Sequence, residues 1–479
     1  MNEDALKALQ AAIPAEHIRT DDAERYRASM DNMRFSRLPS AVIHPAEEDE
    51  LAAVLKIANQ YLIPITARGA GSATTGATTP EVDGWVIDLS SWKNLHIDAG
   101  AMMAFVQPGV TIQAIDDAAR EHGLFFPPDP GSKKFATIGG ALACNAGGLR
   151  GAKYGVTRDY VFGLEGLMAN GEFVKWGANL RKYVSGYNIR DLWIGSEGTL
   201  GIITGAVLKL LPTPASRVTL LAAFSDERSA LETVRKILEA RLTPAILEFL
   251  DSETVECFRR SERVDELPDW MRAFLDGPVL LIEFDGHQAE VDESFATLRE
   301  ILGAQKIHFK STTDEDEAEV LWTIRRGSSK AMFQLGNTKL NEDIVVPLEA
   351  QIPLLGVIEK LRQSTGLPCP TFGHAADGNF HVHIMYNRED QASCEKAKKG
   401  INELMQAVVE LGGVITGEHG VGLAKSPFLR LQHSAFEVDL MQRLKLLFDP
   451  NNILNPGKMF EPFEVWEHPR EEVKMPWDH

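Results

Sequence analysis

Four of the chain's 13 histidines, His374, His381, His383 and His419, fall between positions 374 and 419. His374 opens the stretch Gly373-His-Ala-Ala-Asp-Gly-Asn379, with Gly373 and Gly378 permitting a sharp turn. His381 and His383 stand in Phe380-His-Val-His-Ile384, and His419 in Gly417-Glu-His-Gly420. If 380–384 is a strand, His381 and His383 share one face, because strand side chains alternate. Two imidazoles and a carboxylate make a good ligand set for a divalent cation that keeps positions open. A lone histidine on a strand is more often an ordinary core or surface residue. It is the clustering, with glycine on both flanks, that points to a metal. Zinc suits such ligands, and manganese, iron or cobalt would also be accommodated.

Two further motifs carry cations. Arg325 closes Trp322-Thr-Ile-Arg325, and Lys339 opens Lys339-Leu-Asn-Glu-Asp343. A guanidinium fork matches a carboxylate bidentately. The plainer alternative is a solvated helix surface, since Arg325 and Arg326 precede serines and a lysine.

Glycine concentrates in the other half. Arg68-Gly-Ala-Gly-Ser72, with Gly76 beyond, leaves backbone N–H groups able to surround an anion. It lacks the glycine spacing and following helix of a Rossmann turn. Gly131, Thr137-Ile-Gly-Gly140, Asn145-Ala-Gly-Gly148, Lys153-Tyr-Gly155 and Gly195-Ser-Glu-Gly-Thr-Leu-Gly201 extend the pattern. Backbone approaching a large, flat, phosphate-bearing ligand explains it, and tight packing around bulges is the alternative.

These residues need elements to hold them. A helix is expected over 46–60, with apolar Leu51, Val54, Leu55 and Ala58 at helical spacing. A second is expected over 111–122, closed by Gly123. Short strands are expected at 63–66, 85–89 and 104–107, and Asn170-Gly171 predicts a hairpin between strands at 166–169 and 172–176. That hairpin favours mixed α+β structure over a parallel doubly wound sheet. Pro212-Thr-Pro214 ends a strand-like run over 202–211 and offers a domain boundary. Beyond it, strands at 218–224, 246–250 and 279–284 alternate with charged helical stretches, the pattern of an antiparallel sheet with helices on one face. From Phe428 the chain reads as helix, then loop.

A length of 479 residues implies two or three domains, and 44% hydrophobic residues can bury them. A formal charge of −19 disfavours a nucleic-acid partner. The acidic start Met1-Asn-Glu-Asp predicts no secretory leader, and no apolar run reaches membrane-spanning length. A cytoplasmic protein is expected, or one peripheral to the inner face of a membrane. The scattered cysteines Cys144, Cys257, Cys369 and Cys394 suit neither a disulfide framework nor an iron–sulfur cluster.

Residues 64–76, 127–160, the run from Ser185-Gly-Tyr187 through Gly201, and Phe448-Asp-Pro-Asn-Asn-Ile-Leu-Asn-Pro-Gly-Lys458 together resemble the vanillyl-alcohol-oxidase, or PCMH-type, FAD flavoproteins. The match is to the branch holding the glycolate oxidase FAD subunit, D-lactate dehydrogenase and D-2-hydroxyglutarate dehydrogenase, and it covers roughly residues 35–460. The resemblance implies an α+β fold: a two-subdomain FAD-binding domain over 1–213, a substrate-binding cap with a ferredoxin-like antiparallel sheet over 214–427, and a helical segment over 428–479 returning to the FAD domain. It implies that Arg68, Gly69, Ala70, Gly71 and Ser72 cradle the FAD pyrophosphate. Pro128, Gly131, Thr137, Gly140, Asn145, Gly148 and Ile202 would line the rest, with Asn455 near the flavin. Positions 67–76 contain no histidine, so FAD attachment is expected to be non-covalent. By the same resemblance His374, His381 and Glu418 match metal ligands, His419 a catalytic base, and Arg325 with Lys339 the grip on a substrate carboxylate. His383 stands where the hydroxyglutarate enzymes are expected to carry an Asn close to the substrate, so side-chain specificity stays open, as does a role as third imidazole ligand.

The expected reaction is oxidation of a D-2-hydroxy acid, D-lactate or glycolate ahead of D-2-hydroxyglutarate. Electrons would leave to an iron–sulfur subunit, an electron-transfer flavoprotein, a quinone or a cytochrome. A homodimeric state is left open. The rivals are a redox-neutral FAD enzyme of the same fold, a metal-dependent hydrolase, and a non-catalytic flavoprotein subunit.

Overall fold

In the computed structural model, residues 2–471, 473 and 475 are described; Met1, part of the acidic start, lies outside them. The chain folds as two compact units. One comprises residues 1–147, 156–213 and 418–479, and the other 148–155 and 214–417.

The first unit is mixed α+β. Its helix Glu48–Tyr61 begins with Glu48, Asp49 and Glu50, whose charges suit the positive end of the helix dipole. Leu51, Val54, Leu55 and Ala58 recur at the helical period and pack with Trp85, Ile87 and Ile65. Each of the Leu and Val side chains contributes about 1.5–3 kcal/mol by leaving water. A four-stranded sheet runs Ile18–Arg19, Ala41–Ile43, Trp85–Asp88, Ile65–Arg68, with Trp85–Asp88 pairing in parallel with both of its neighbours. A five-stranded antiparallel sheet runs Leu95–Asp98, Met103–Val106, Ile202–Lys209, Val161–Leu167, Phe173–Gly177. The expected hairpin is present, with Gly171 at φ +76° in its turn. So is the second expected helix, Ile112–Arg120, capped by the Thr111 hydroxyl on the Ala114 N–H at 3.2 Å.

The second unit is built on a seven-stranded antiparallel sheet in the order His308–Thr312, Ser216–Ala223, Val279–Gly286, Ile246–Leu250, Thr371–His374, Asn379–Tyr386, Thr338–Val345. Helices lie on both of its faces, where the strand pattern predicts one. On one side Leu321, Trp322 and Ile324 of helix Glu315–Ala331 pack with Leu221, Ile246, Leu250 and Leu281. On the other, Gly400 of helix Gln391–Glu410 lies against Ile384, which points the opposite way from His381 and His383. The strands explain this. Ile246–Leu250, Val279–Gly286 and Asn379–Tyr386 are buried nearly throughout, so both faces need cover. No helix among the described residues is long and apolar enough to cross a membrane.

Candidate active site

The histidine-rich stretch is a hairpin in the second unit. Thr371–His374 pairs with Asn379–Tyr386 through a tight connection in which Gly378 has φ +80°. A Cβ there would lie 2.1 Å from the Val346 carbonyl, so only glycine fits. Register sets the rest. Phe372 stands opposite His381, His381 opposite Asp343, and His383 opposite Asn341. Glu248, from Ile246–Leu250, stands opposite His374. One sheet face thus carries Glu248, His374, His381, His383, Asn341, Asp343 and Lys339. The His374 and His381 rings lie 5.4 Å apart at 85°.

Glu248 organises this face. Both its side chain and that of His374 are almost wholly buried. One carboxylate oxygen takes a short hydrogen bond from His374 Nδ1, and the other accepts from Arg325 Nε at 2.6 Å. Burial alone would raise the Glu248 carboxyl, but the His374 and Arg325 charges and hydrogen bonds hold it down, to about 2. With Nδ1 committed to Glu248, the nitrogen a metal would take from His374 is Nε2. The donor set therefore fits a metal. Arg325 is also fixed over the Phe372 ring, 4.0 Å from its centroid. Its two terminal nitrogens make no hydrogen bond among the described residues, leaving that edge of the fork for an anion.

Lys339 lies on the same face but four residues along its strand from Asp343, about 13 Å away at the strand rise. Its Nζ donates to Ser329 Oγ at 2.5 Å. His383 is buried, with Nδ1 3.1 Å from the Pro370 carbonyl and its ring 4.8 Å from that of Phe372. Asp343 accepts from Asn379 Nδ2 at 2.7 Å, from the Thr416 hydroxyl at 2.9 Å and from the Gly417 N–H at 2.8 Å. It thereby secures the backbone just before Glu418 and His419.

Glu418 and His419 open the returning segment of the first unit. Glu418 packs against Gly147, where a Cβ would come within 3.0 Å of its Oε2. His419 Nε2 is 3.9 Å from Glu418 Oε1.

In the same unit, the N–H groups of Gly69, Ala70, Gly71 and Ser72 make no hydrogen bond among the described residues. Gly71 has φ +70°, and a Cβ on it would strike the Arg68 guanidinium at 2.1 Å. Arg68 is buried beneath its own loop, donating to the Met30 carbonyl at 2.8 Å. It braces a loop whose N–H groups are left for an anion, the form a pyrophosphate cradle requires. Thr137 and Asn145 cap the two ends of helix Ile138–Cys144. Nothing lies within 4 Å of a Cβ built at Gly131, and only the Thr137 hydroxyl, at 3.6 Å, at Gly140. Both backbones are open to a flat ligand. Pro128 and Ile202 are buried in the first unit, whereas Gly148 belongs to the short segment of the second unit. Asn455 binds the Ala77 and Glu197 carbonyls at 2.8 and 2.7 Å. These residues fit FAD.

Three carboxylates escaped the reading of the sequence. Glu248 was detectable as the one charge in the apolar strand Ile246–Leu250. Asp343 and Glu197 lay inside motifs singled out for their neighbours.

The two-unit fold, with glycine loops in one unit and a face of imidazoles, carboxylates and arginine in the other, is the arrangement of an FAD-dependent oxidoreductase, the class that the chain's family matches show. Residues 39–177 match the FAD binding domain family, and residues 213–459 match the family described as FAD linked oxidases, C-terminal domain. The chain belongs to the FAD-linked oxidases. It is 39% identical over 429 residues to the glycolate oxidase subunit GlcD of Bacillus subtilis, covering 89% of this chain and 90% of that one. It is 36% identical to a D-lactate dehydrogenase of Archaeoglobus fulgidus, covering 87% and 90%. Among solved structures it is similar in fold to p-cresol methylhydroxylase, with TM-score 0.81, 17% identity and coverage of 96% and 97%.

Proposed function

We propose that this enzyme oxidises a D-2-hydroxy acid, with D-lactate or glycolate favoured, to the 2-oxo acid, passing electrons to an acceptor outside this chain. The observation that carries the reading is the packing of helix residue Arg325 against the buried sheet face that holds His374 and His381, in a chain whose relatives are named for glycolate and D-lactate. When bound, FAD would supply the acceptor for the C2 hydride, and a divalent cation held by His374, His381 and Glu418 the charge that lowers the hydroxyl pKa.

The chain's own residues do the positioning. The terminal edge of Arg325 receives the substrate carboxylate, and Lys339 adds positive charge on the same face. His419, in its neutral form, takes the hydroxyl proton as the hydride leaves C2. Glu248 keeps His374 and Arg325 in register. Fixing the carboxylate and hydroxyl together orients C2, and orientation is where much of the rate resides.

The test is anaerobic mixing of the flavin-loaded protein with D- and L-lactate, glycolate and D-2-hydroxyglutarate, reading flavin absorbance and then reduction of an artificial dye. Bleaching by a D-2-hydroxy acid with stoichiometric 2-oxo acid is expected, followed by dye reduction over many turnovers. A flavin left oxidised by the whole panel, with no 2-oxo acid formed, would refute the reading.

A further inference from the structure

Glu197 has no part in the chemistry above, yet it is a buried carboxylate committed to the backbone of the catalytic loop. It lies in Gly195-Ser-Glu-Gly-Thr-Leu-Gly201 and adopts φ +53°, a conformation unfavourable for a side chain of its size. One oxygen accepts the Val421 N–H at 2.6 Å and the other the Gly422 N–H at 2.8 Å. Its carbonyl accepts from Asn455 Nδ2 at 2.7 Å. The loop is shaped to receive it: Gly420 has φ +82°, and a Cβ there would lie 2.7 Å from Glu197 Oε1. Thr75 completes the seat, its carbonyl accepting from Leu423 and Ala424 at 2.7 and 3.0 Å.

We infer that Glu197 is a positioning residue for His419: by holding both backbone N–H groups immediately beyond Gly420, it fixes the loop from which the base reaches substrate. This rests on the reading of His419 as the base. Only a carboxylate of this length offers two acceptors to two adjacent N–H groups. Glutamine would set an NH2 donor against one of them, and the loop end would have to shift. Displacing a reacting group by about 1 Å can cost on the order of 100-fold in rate, while the grip of Arg325 on the substrate carboxylate, made from another element, is spared.

The test uses the flavin-loaded full-length enzyme and D-lactate or glycolate, whichever turns over. Glu197→Gln should retain flavin, change KM less than threefold and lower kcat by 10- to 100-fold. Combined with His419→Ala, it should add less than twofold to the loss from His419→Ala alone, because both act through one group. Gly420→Ala presses on the same contact from the loop side and should give the same pattern. A kcat within twofold of wild type for Glu197→Gln, or full multiplication of the two losses, would overturn the inference. Loss of flavin in both Glu197→Gln and Gly420→Ala would overturn it too, assigning Glu197 to cofactor retention. Near-wild-type turnover in His419→Ala would instead bring down the base assignment itself.

Discussion

Replacing Glu248 with glutamine keeps the shape of the side chain and removes its charge, leaving His374 and Arg325 without their shared anion. The carboxyl lies at about 2 against its usual 4.5, which corresponds to ~3 kcal/mol of preference for the charged form. Breaking a buried pair from one side costs about 3–5 kcal/mol, so the two scales agree. For a unit of this size the melting temperature of the metal-free protein should fall by about 6–12 °C. The pH dependence has a defined sign. A carboxyl held below its unfolded value stabilises fully above pH 4.5, and that contribution is lost as pH falls toward about 2. The gap between wild type and Glu248→Gln should therefore close as pH falls from 4.5 toward about 2. Losing the carboxylate behind His374 should also weaken divalent-metal affinity about 10- to 100-fold. Metal competition against a fluorescent chelator reads that directly. Affinity within twofold of wild type, beside the expected stability loss, would refute the coupling of Glu248 to a metal site.

Removing divalent metal by chelation should abolish hydroxy-acid turnover while leaving the flavin spectrum in place, and adding back zinc or manganese should restore it; full activity in the metal-free protein would remove the metal from the mechanism. Arg325→Lys should raise KM at least tenfold, because an ammonium cannot hold Glu248 and a substrate carboxylate together; steady-state kinetics with D-lactate and glycolate measure this. His419→Ala should keep stoichiometric flavin and lose about 100- to 10,000-fold of the anaerobic flavin reduction rate. Gly378→Ala should lower thermal stability by more than 1 kcal/mol, since it combines a positive φ with contact against the Val346 carbonyl, and denaturant titration checks it.

Local signals made the elements legible. The helix Glu48–Tyr61, the hairpin at Asn170-Gly171 and the strand Ile246–Leu250 follow from periodicity, turn chemistry and β-branched or aromatic content, all properties of neighbouring residues. The site residues on one strand were legible for the same reason, since period two places His381 and His383 together. Helices on both sheet faces were not, because short buried strands lose the alternation that marks an exposed side.

The sequence by itself determined which chemistry was at hand: imidazoles, a guanidinium and glycine loops in short, dense motifs. The tertiary structure decided which of those groups are tied together. Glu248 is distant in the chain from both His374 and Arg325, and Glu197 from Val421 and Gly422. Their meeting depends on strand register and chain return. A lone carboxylate in an apolar strand has no partner until the sheet assembles, and burial then makes that partner obligatory.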